Sequence, residues 1–394
     1  MRVAIVSESF LPQVNGVTNS VCRVLEHLAR TGHEAMVIAP GRGPSDYAGF
    51  PIRTTPAFRL PFYRSFRVGL PSGEIMTALE EFKPDVVHLA SPTVVGASGM
   101  TAAARLGVPA VAVFQTDLAG FARQYGMRGA DAAIWGWLRH IHVRAARTLA
   151  PSSATMSELN AHGIPRLSLW GRGVDLQRFN PGHRSERLRR ELAPNGEVIV
   201  GYVGRLAADK RVHLLPGLAE LPGVKVVVVG DGPAAKSLRR RMPDAVFCGL
   251  RTGTELSEIL ASFDVFVHTG ANETYCQAVQ EALAAGVPVV AAAAGGPLDL
   301  VQPEHNGLLY PADSPEEMRA AVARLASDED ARTRMSGNAR ASVLHRTWSA
   351  LCEQLVRHYE TVSSEDFQPH EEDLGRWKPW KARVAEPSEA HAGT

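Results

Sequence analysis

Two glutamates, Glu273 and Glu281, are separated by seven residues in a segment that predicts strand, loop, helix and strand. An apolar run at residues 264–268 precedes them, and another at residues 287–290 follows. Glu273 is expected in the loop or first helical turn, and Glu281 about two turns further along the same helix face. Two acids on one rim can accept hydrogen bonds from hydroxyls, and the nearby helix N-terminus can hold an anion. Two helical glutamates are usually a solvated face, but this pair also suits a sugar joined to a phosphate.

A pair of cations, Arg205 and Lys210, follows Gly204 at the end of the apolar run 198–203. Their spacing can aim both side chains at one point near the mouth of a strand. A diphosphate carries about two or three negative charges, which arginine can grip through two hydrogen bonds and lysine as a point charge. Taken alone, the pair could be surface residues beside a glycine turn. Combined with the two glutamates, it predicts a site for a sugar diphosphate.

The first half of the chain offers two further candidates. Gly16 lies in the loop before the first helix, where it forms either a simple turn or a place for the backbone to approach a phosphate. Asp117, with Gln115, follows the strand-like run 107–114. Ligands bind at the carboxyl ends of parallel strands, so Asp117 is a candidate catalytic group, although a buried cap would also explain it.

Strands alternate with helices in both halves, which predicts an α/β protein with two parallel, doubly wound sheets. We assign residues 1–175 to the first domain and residues 176–345 to the second. Residues 346–362 are expected to form a helix, and residues 363–394 a flexible tail. Residues 41–73 are rich in glycine, proline and aromatic residues and are expected to be irregular.

Composition limits the possible functions. The chain has 394 residues, 45% of them apolar, so two domains can each bury a core. A net charge of +1 gives no support for nucleic-acid binding. The four scattered cysteines fit a reducing compartment, and the N-terminal apolar run is too short for a signal peptide. No apolar run approaches the length of a membrane span, so the cytoplasm is the expected location.

The motifs, taken together, resemble the retaining glycosyltransferases of family four over residues 1 to about 362. The motifs are Asn15-Gly16, Gln115-Thr116-Asp117, Gly-Arg-Gly-Val-Asp at 171–175, Gly204-Arg205 with Lys210, Gly-Asp-Gly-Pro at 230–233, Glu273 with Glu281, and Gly295-Gly296. Residues 3–20 and 113–121 are most similar to actinobacterial GDP-mannose-dependent α-mannosyltransferases. Sulfoquinovosyl-diacylglycerol synthases, which use a UDP-linked donor, are also similar.

The resemblance implies the GT-B fold, in which two Rossmann-like domains face each other across a cleft, and it implies residue roles. Arg205 and Lys210 would hold the diphosphate, Glu273 the transferred sugar and Glu281 the ribose hydroxyls. The implied catalytic residues are Arg205, Lys210, Glu273 and Asp117. The implied donor-binding residues are Gly16, Gly204, Arg205, Lys210, Glu273, Tyr275, Cys276, Gln277 and Glu281. The C-terminal helix around residues 348–359 would cross back onto the first domain.

Two positions depart from the family pattern. Many members carry a histidine near the sugar 6-hydroxyl, at the position that corresponds to Gln115 or Asp117 here. Tyr275 and Cys276 stand where a Phe-Gly pair is more usual, and their extra bulk is expected to alter the donor pocket.

The implied reaction transfers a hexose, mannose from GDP-mannose, to a hydroxyl of a lipid or glycolipid acceptor with the α configuration retained. Neither a cofactor nor a metal is expected. The acidic cluster 328–330 lies between helices and suits a solvated turn. A nucleotide-sugar epimerase and a non-catalytic sugar-binding protein are the alternatives. Peripheral contact with an anionic membrane would fall on the basic residues between Arg53 and Arg67 or on the helix near residues 131–149, for which core packing is favoured.

Overall fold

The computed structural model describes residues 1–60, 63–70, 72–91, 93–120 and 131–365. Of the predicted tail, residues 366–394 lie outside this range. The side chains of residues 59–68 are also outside the description, and with them Arg59, Arg64 and Arg67 of the predicted basic loop.

The first sheet has eight strands in the order β10-β9-β8-β7-β1-β2-β4-β3, and all its pairs are parallel except β3 with β4. Its central strand β1 pairs with β2 on one side and with β7 on the other. The chain therefore reverses its winding direction between β1 and β7. The strands are β1 (Arg2–Val6), β2 (Glu34–Pro40), β3 (Asp46–Tyr47), β4 (Phe50–Thr55), β7 (Val86–Leu89), β8 (Ala110–Val113), β9 (Arg147–Ala150) and β10 (Leu167–Leu169).

The expectation that residues 41–73 are irregular is wrong. β3 and β4 extend the first sheet, and β5 (Ala57–Leu60) pairs antiparallel with β6 (Tyr63–Gly69) in a separate two-stranded sheet. The frequent glycines and prolines mark the turns between short strands, which a search for long periodic runs passes over.

The second sheet has six parallel strands in the order β13-β12-β11-β14-β15-β16. This is the doubly wound order of nucleotide-binding folds, with its switch point between β11 and β14, where such sheets bind ligands. The strands are β11 (Val198–Val203), β12 (Val224–Val229), β13 (Val246–Gly249), β14 (Val265–His268), β15 (Val289–Ala292) and β16 (Gly307–Tyr310).

Helices cover both sheets. In the first domain they are α1 (Gly16–Arg30), α2 (Glu74–Phe82), α3 (Val94–Leu106), α4 (Asp131–His142) and α5 (Ser153–Ala161). After the first domain come α6 (Glu186–Leu192), α7 (Pro216–Ala219), α8 (Ala235–Arg241), α9 (Gly253–Ala261), α10 (Gln277–Ala284), α11 (Pro297–Leu300), α12 (Pro315–Ser327), α13 (Glu329–Ala341) and α14 (Trp348–Ser364).

Strands such as β1, β7 and β14 are almost or entirely buried, as expected for parallel strands covered by helices on both faces. α4 also contributes to the core. Its Trp135 is buried and stacks on Phe114 with the ring centroids 6.2 Å apart, in agreement with the favoured core packing of this helix.

The last helix, α14, packs against the core of the first sheet. The hydroxyl of Tyr359 lies 2.6 Å from Nδ1 of His88, and Nε1 of Trp170 donates a hydrogen bond of 2.8 Å to the carbonyl of Leu351. The chain enters α14 beside the segment that leaves the first domain, because Val174 donates its backbone N–H to the Arg346 carbonyl at 2.8 Å. Two adjacent backbone segments therefore connect the domains.

Candidate active site

A cavity of about 380 Å³ lies between the carboxyl ends of the two sheets. The first domain and its exit segment line it with Gln115, Thr116, Asp117, Gly120 and Arg172. The second domain lines it from the loops after β11 and β14, which flank the switch point. These residues include Gly204, Asp209, Lys210, His268, Asn272, Glu273, Thr274, Tyr275, Cys276 and Gln277.

Lys210 and Glu273 form an ion pair inside this cavity. Nζ of Lys210 lies 2.6 Å from Oε1 of Glu273, and their side chains are 26% and 14% exposed. Burial alone would raise the pKa of Glu273, but the hydrogen bonds and charges of His268 and Lys210 lower it to about 2. Burial would lower the pKa of Lys210, but the charge and hydrogen bond of Glu273 raise it above its usual value. Both groups are therefore charged at neutral pH.

Arg205 lies beside the cavity and is not among the residues that line it. Its Nη2 pairs with Oδ2 of Asp209 at 2.6 Å, and the same oxygen lies 3.9 Å from Nζ of Lys210. Asp209 lines the cavity and so bridges the two cations that the sequence predicts to act together. The Arg205 side chain is 39% exposed, which leaves it at the rim.

Glu273 lies in the loop, one of its two predicted positions, but the prediction that it shares a helix face with Glu281 is wrong. α10 begins at Gln277, so Glu273 lies in the preceding loop and only Glu281 is helical. Glu281 is not among the cavity-lining residues. Burial raises the pKa of Glu281 to about 7, although a hydrogen bond with Gln277 and the charge of Arg178 oppose this rise. The loop between β14 and α10 is longer than expected, which places the two carboxylates in different surroundings.

The turn into α10 contains the second departure from the family pattern, Tyr275 and Cys276 in place of a Phe-Gly pair. Cys276 has φ +77°, in the left-handed region that favours glycine, so a glycine suits this position better. Tyr275 is 2% exposed, and its hydroxyl donates a hydrogen bond of 2.9 Å to the carbonyl of Arg172. The extra hydroxyl thus connects the loop to the inter-domain segment. Gln277 makes a similar connection, because its Nε2 donates to the Gly173 carbonyl at 3.1 Å.

The paired glycines after β15 support the Glu273 loop from behind. A Cβ on Gly295 would lie 2.2 Å from the carbonyl oxygen of Glu273, and a Cβ on Gly296 would lie 1.9 Å from that of Tyr275. The N–H of Gly296 also donates to the Glu273 carbonyl at 2.8 Å. Glycine is required at both positions because the two backbone segments are in direct contact. Gly230 likewise allows close backbone contact with the loop after β11, since a Cβ on Gly230 would lie 2.0 Å from the carbonyl oxygen of Gly204.

Gly16 is the first residue of α1, whose N-cap Asn15 accepts a hydrogen bond from the Thr18 N–H at 3.0 Å. The side chain of Arg172 packs against Gly16. A Cβ at position 16 would lie only 2.5 Å from Nη1 of Arg172. Gly16 is not among the lining residues, so it meets the cavity through Arg172.

Asp117 lines the cavity and also caps a turn. Its Oδ1 accepts a hydrogen bond of 2.7 Å from the backbone N–H of Gly120. The capping alternative raised from the sequence is therefore present, and it is compatible with a position at the cavity wall.

His268 and Arg172 line the cavity, and sequence reasoning assigned a role to neither. His268 ends β14 and is 3% exposed, with Nε2 3.3 Å from Oε1 of Glu273. Burial lowers its pKa, but Cys276 and Glu273 outweigh this effect and raise it to about 10. Because His268 lies at the end of a parallel strand, its position in the sequence could have identified it as a site residue. For Arg172 the signal was its place between the two glycines of the 171–175 motif.

Among the described residues, His268, Glu273 and Cys276 could hold a metal ion, since their ligand atoms lie within 4.8 Å of one another. The ammonium of Lys210 already supplies positive charge to Glu273 at this point. The acidic cluster 328–330 serves a structural role, because Asp328 caps α13 by accepting a hydrogen bond of 2.9 Å from the Ala331 N–H.

Two doubly wound sheets whose carboxyl ends face one inter-domain cavity define the GT-B class of glycosyltransferases. HepE of Anabaena, solved in complex with UDP, has this fold. Its TM-score with the present structure is 0.76 at 20% identity, and the match covers 92% of this chain and 100% of HepE.

Sequence comparisons identify the family. The model for Glycosyltransferase Family 4 matches residues 14–178, and that for Glycosyl transferases group 1 matches residues 184–342. A GDP-mannose-dependent alpha-mannosyltransferase of Mycobacterium tuberculosis is 53% identical over 92% of this chain and 97% of its own. Sulfoquinovosyl transferase SQD2 of Arabidopsis thaliana is 33% identical over 89% of this chain and 71% of its own. The chain belongs to glycosyltransferase family 4, as its motifs predicted.

Proposed function

We propose that the protein transfers mannose from GDP-mannose to a hydroxyl of a lipid or glycolipid acceptor and retains the α configuration. The observation that carries this proposal is the Lys210–Glu273 ion pair at the switch point of the second sheet, inside the inter-domain cavity. It offers a cation for a phosphate and a carboxylate for sugar hydroxyls within one hydrogen bond of each other. The name of the M. tuberculosis relative, at 53% identity, supports the choice of donor.

In this proposal the diphosphate lies between Lys210 and Arg205, and Asp209 offsets the repulsion between the two cations until the diphosphate arrives. A phosphate would draw Lys210 away from Glu273, which then accepts hydrogen bonds from the sugar. The backbone of Gly16 and Gly204 and the amides of Tyr275, Cys276 and Gln277 border the phosphates and the sugar. Glu281 accepts from the ribose hydroxyls.

We further propose that the acceptor attacks from the face that the diphosphate leaves. The bond between sugar C1 and the β-phosphate oxygen breaks, and the acceptor oxygen forms the new bond to C1. The proton of the acceptor hydroxyl passes to the departing phosphate oxygen. Lys210 and Arg205 stabilise the negative charge that grows on that phosphate, a role that a metal ion fills in other enzymes. Asp117 faces the same cavity from the acceptor side and is proposed to orient the sugar or the acceptor hydroxyl.

To reach a lipid acceptor the protein must bind at a membrane surface. We propose that it makes peripheral contact with the cytoplasmic side of the membrane. Among the described helices, none is both long and apolar enough to cross a membrane. Arg53 and Arg139 have exposed side chains that could meet anionic lipid, although Arg53 also lies 3.5 Å from Glu81. Sedimentation with anionic vesicles that is lost in an Arg53→Gln/Arg139→Gln variant would support this contact. Equal sedimentation with neutral vesicles would contradict it.

A donor screen tests the proposed reaction. The protein is incubated with extracted membrane lipids and either GDP-mannose or UDP-linked sugars, and release of the nucleoside diphosphate is followed. We expect GDP release from GDP-mannose that depends on the lipid. UDP release would favour the sulfoquinovosyl type of reaction named for the Arabidopsis relative. Turnover of the donor without any acceptor would contradict glycosyl transfer to a lipid.

A further inference from the structure

Arg172 is a cation of the cleft that has no role in the reaction described so far. It lies in the segment that leaves the first domain, and its side chain lines the inter-domain cavity. The nearby Lys210 and Arg205 each pair with a carboxylate, Glu273 and Asp209 respectively. Arg172 differs from both in its surroundings.

The guanidinium of Arg172 has no anionic partner among the described residues. Nη2 donates a hydrogen bond of 3.1 Å to the neutral side chain of Gln115. Nε is buried and has no hydrogen-bond partner among the described residues. A buried charge without a counter-charge is costly, and so is a buried donor without an acceptor. Both costs disappear if an external anion binds at this place.

The position of Arg172 specifies which anion this would be. Arg172 and Glu273 line the same cavity, and the charges of Tyr275 and Glu273 raise the pKa of Arg172 against the lowering by burial. Glu273 is the residue proposed to hold the sugar, and its Oε1 lies 2.6 Å from Nζ of Lys210. An anion beside Arg172 therefore lies next to the sugar. In a nucleoside diphosphate sugar, the phosphate next to the sugar is the β-phosphate, which is the terminal phosphate of the free nucleoside diphosphate.

We propose that Arg172 binds the sugar-bearing phosphate of the donor, from the side of the cleft opposite Lys210. This assignment rests on the proposed function, because it takes a nucleoside diphosphate sugar as the ligand. Nε, which has no partner among the described residues, and one N–H of Nη2 lie on one edge of the planar guanidinium and can give a phosphate two parallel hydrogen bonds, while the other N–H of Nη2 serves Gln115. The phosphate is then held by cations from both sides of the inter-domain cavity.

The backbone of Arg172 gives this contact a second consequence. The carbonyl of Arg172 accepts hydrogen bonds of 2.9 Å from the Tyr275 hydroxyl and from Nε2 of Gln280, both in the second domain. Its side chain meanwhile contacts Gln115 and Gly16 of the first domain. Arg172 thus joins both domains at the phosphate, so binding there stabilises their approach.

Binding of GDP and GMP to matched variants tests the proposal, because the two nucleotides differ only by the terminal phosphate. We expect Arg172→Gln to weaken GDP binding about 10- to 100-fold, and GMP binding by less than about threefold. Arg172→Lys, which keeps a charge but loses the planar fork, should fall between wild type and Arg172→Gln. The control is Arg340→Gln, which removes a guanidinium bonded to the carbonyls of Phe179, Ala284 and Leu176. It should lower stability while the ratio of GDP to GMP affinity stays at the wild-type value.

A measurement on the wild-type protein covers the case in which Arg172→Gln does not fold. The side-chain ¹⁵Nε–H signal of Arg172, identified by its loss in Arg172→Lys, should shift strongly with GDP and weakly with GMP. Equal weakening of both nucleotides in Arg172→Gln, or an unshifted Nε signal, would overturn the assignment. A rise in the acceptor KM alone would also overturn it, because the anion would then be a phosphate of the lipid headgroup. If wild type binds no GDP at all, the proposed donor fails first and this assignment with it.

Discussion

The ammonium of Lys210 lies 2.6 Å from the carboxylate of Glu273, although the two residues are 63 positions apart in the chain. Each residue follows a strand next to the switch point of the second sheet, β11 for Lys210 and β14 for Glu273. The contact therefore results from strand order, which brings the two loops together at one edge of the sheet. It also means that either side chain, if removed alone, leaves the other charge partly buried with only its longer contact, His268 at 3.3 Å for Glu273 or Asp209 at 3.9 Å for Lys210.

A double-mutant cycle measures this pair. Lys210→Met and Glu273→Gln should each lower the free energy of unfolding by about 1–3 kcal/mol, because each removes the shortest ion-pair contact of a partly buried charge. The double variant should lose less than the sum of the two, and all three variants should lose glycosyl transfer by about 100-fold or more. Urea unfolding and GDP release supply the two measurements. Additive stability losses would show that the pair is not coupled.

The same cycle has a defined pH dependence. The pKa of Glu273 in the folded state is lowered to about 2 from its ordinary value of 4.5, so its pairing stabilises the fold above that window. The stabilisation is lost as pH falls from 4.5 towards 2. The coupling free energy from the cycle should therefore be constant between pH 6 and 8. A coupling that varies across that range would mean that another group in the cavity titrates with the pair.

Gly296→Ala should damage the site although glycine is not needed there for its backbone angles. Its φ is −59°, so the cause would be the Cβ, 1.9 Å from the Tyr275 carbonyl oxygen. We expect stability to fall by about 1–3 kcal/mol and kcat/KM by about tenfold or more as the Glu273 loop moves. Gly217→Ala is the matched control, because nothing lies within 4 Å of its Cβ. Comparable losses in both variants would contradict the steric explanation.

Cys276→Gly should be tolerated unusually well for the loss of a buried side chain. Glycine relieves a non-glycine residue at φ +77°, which offsets part of the lost packing by about 1–2 kcal/mol. Cys352 is also buried but lies inside α14, where glycine is unfavourable, so Cys352→Gly should cost about 2 kcal/mol more. Thermal and urea unfolding of both variants test this difference. An equal cost at the two positions would show that Cys276 is not strained.

The stability of Glu281→Gln, measured relative to wild type, should increase as pH rises. The pKa of Glu281 is raised to about 7 in the folded state, whereas in the unfolded chain the carboxyl ionises near pH 4.5. Above pH 4.5, ionisation therefore favours the unfolded chain and the folded wild type loses stability. This penalty grows from pH 4.5 to 7 and then stays constant. The stability of Glu281→Gln relative to wild type should rise by about 1–3 kcal/mol between pH 4.5 and 8. A pH-independent difference would place Glu281 in a more solvated position than its burial indicates.

Much of this architecture is readable from the sequence. β12 could be located because Val224–Val229 is a β-branched run of the kind that buried parallel strands require. Gly204, Lys210 and Glu273 could be placed at the site because each follows such a run. Short-range patterns define the ends of strands, and the ends of parallel strands meet at one edge whatever their separation along the chain.

Other parts depend on distances that no local pattern records. The length of the loop before α10 decides that Glu281 does not share a helix face with Glu273. Nothing in the local sequence distinguishes Arg172 from other arginines. Only the packing of Gly16 and Gln115 around it shows a charge without a counter-charge. The hairpin of β5 and β6 was missed because β5 has only four residues and the region is rich in turn-forming residues.

A structure of the protein with bound GDP would show whether Lys210 and Glu273 mark the place of the donor phosphates. We expect the terminal phosphate of GDP within hydrogen-bond distance of Nζ of Lys210 in the inter-domain cavity, next to Glu273. GDP bound elsewhere, with the Lys210–Glu273 ion pair still closed and no phosphate at Lys210, would contradict it.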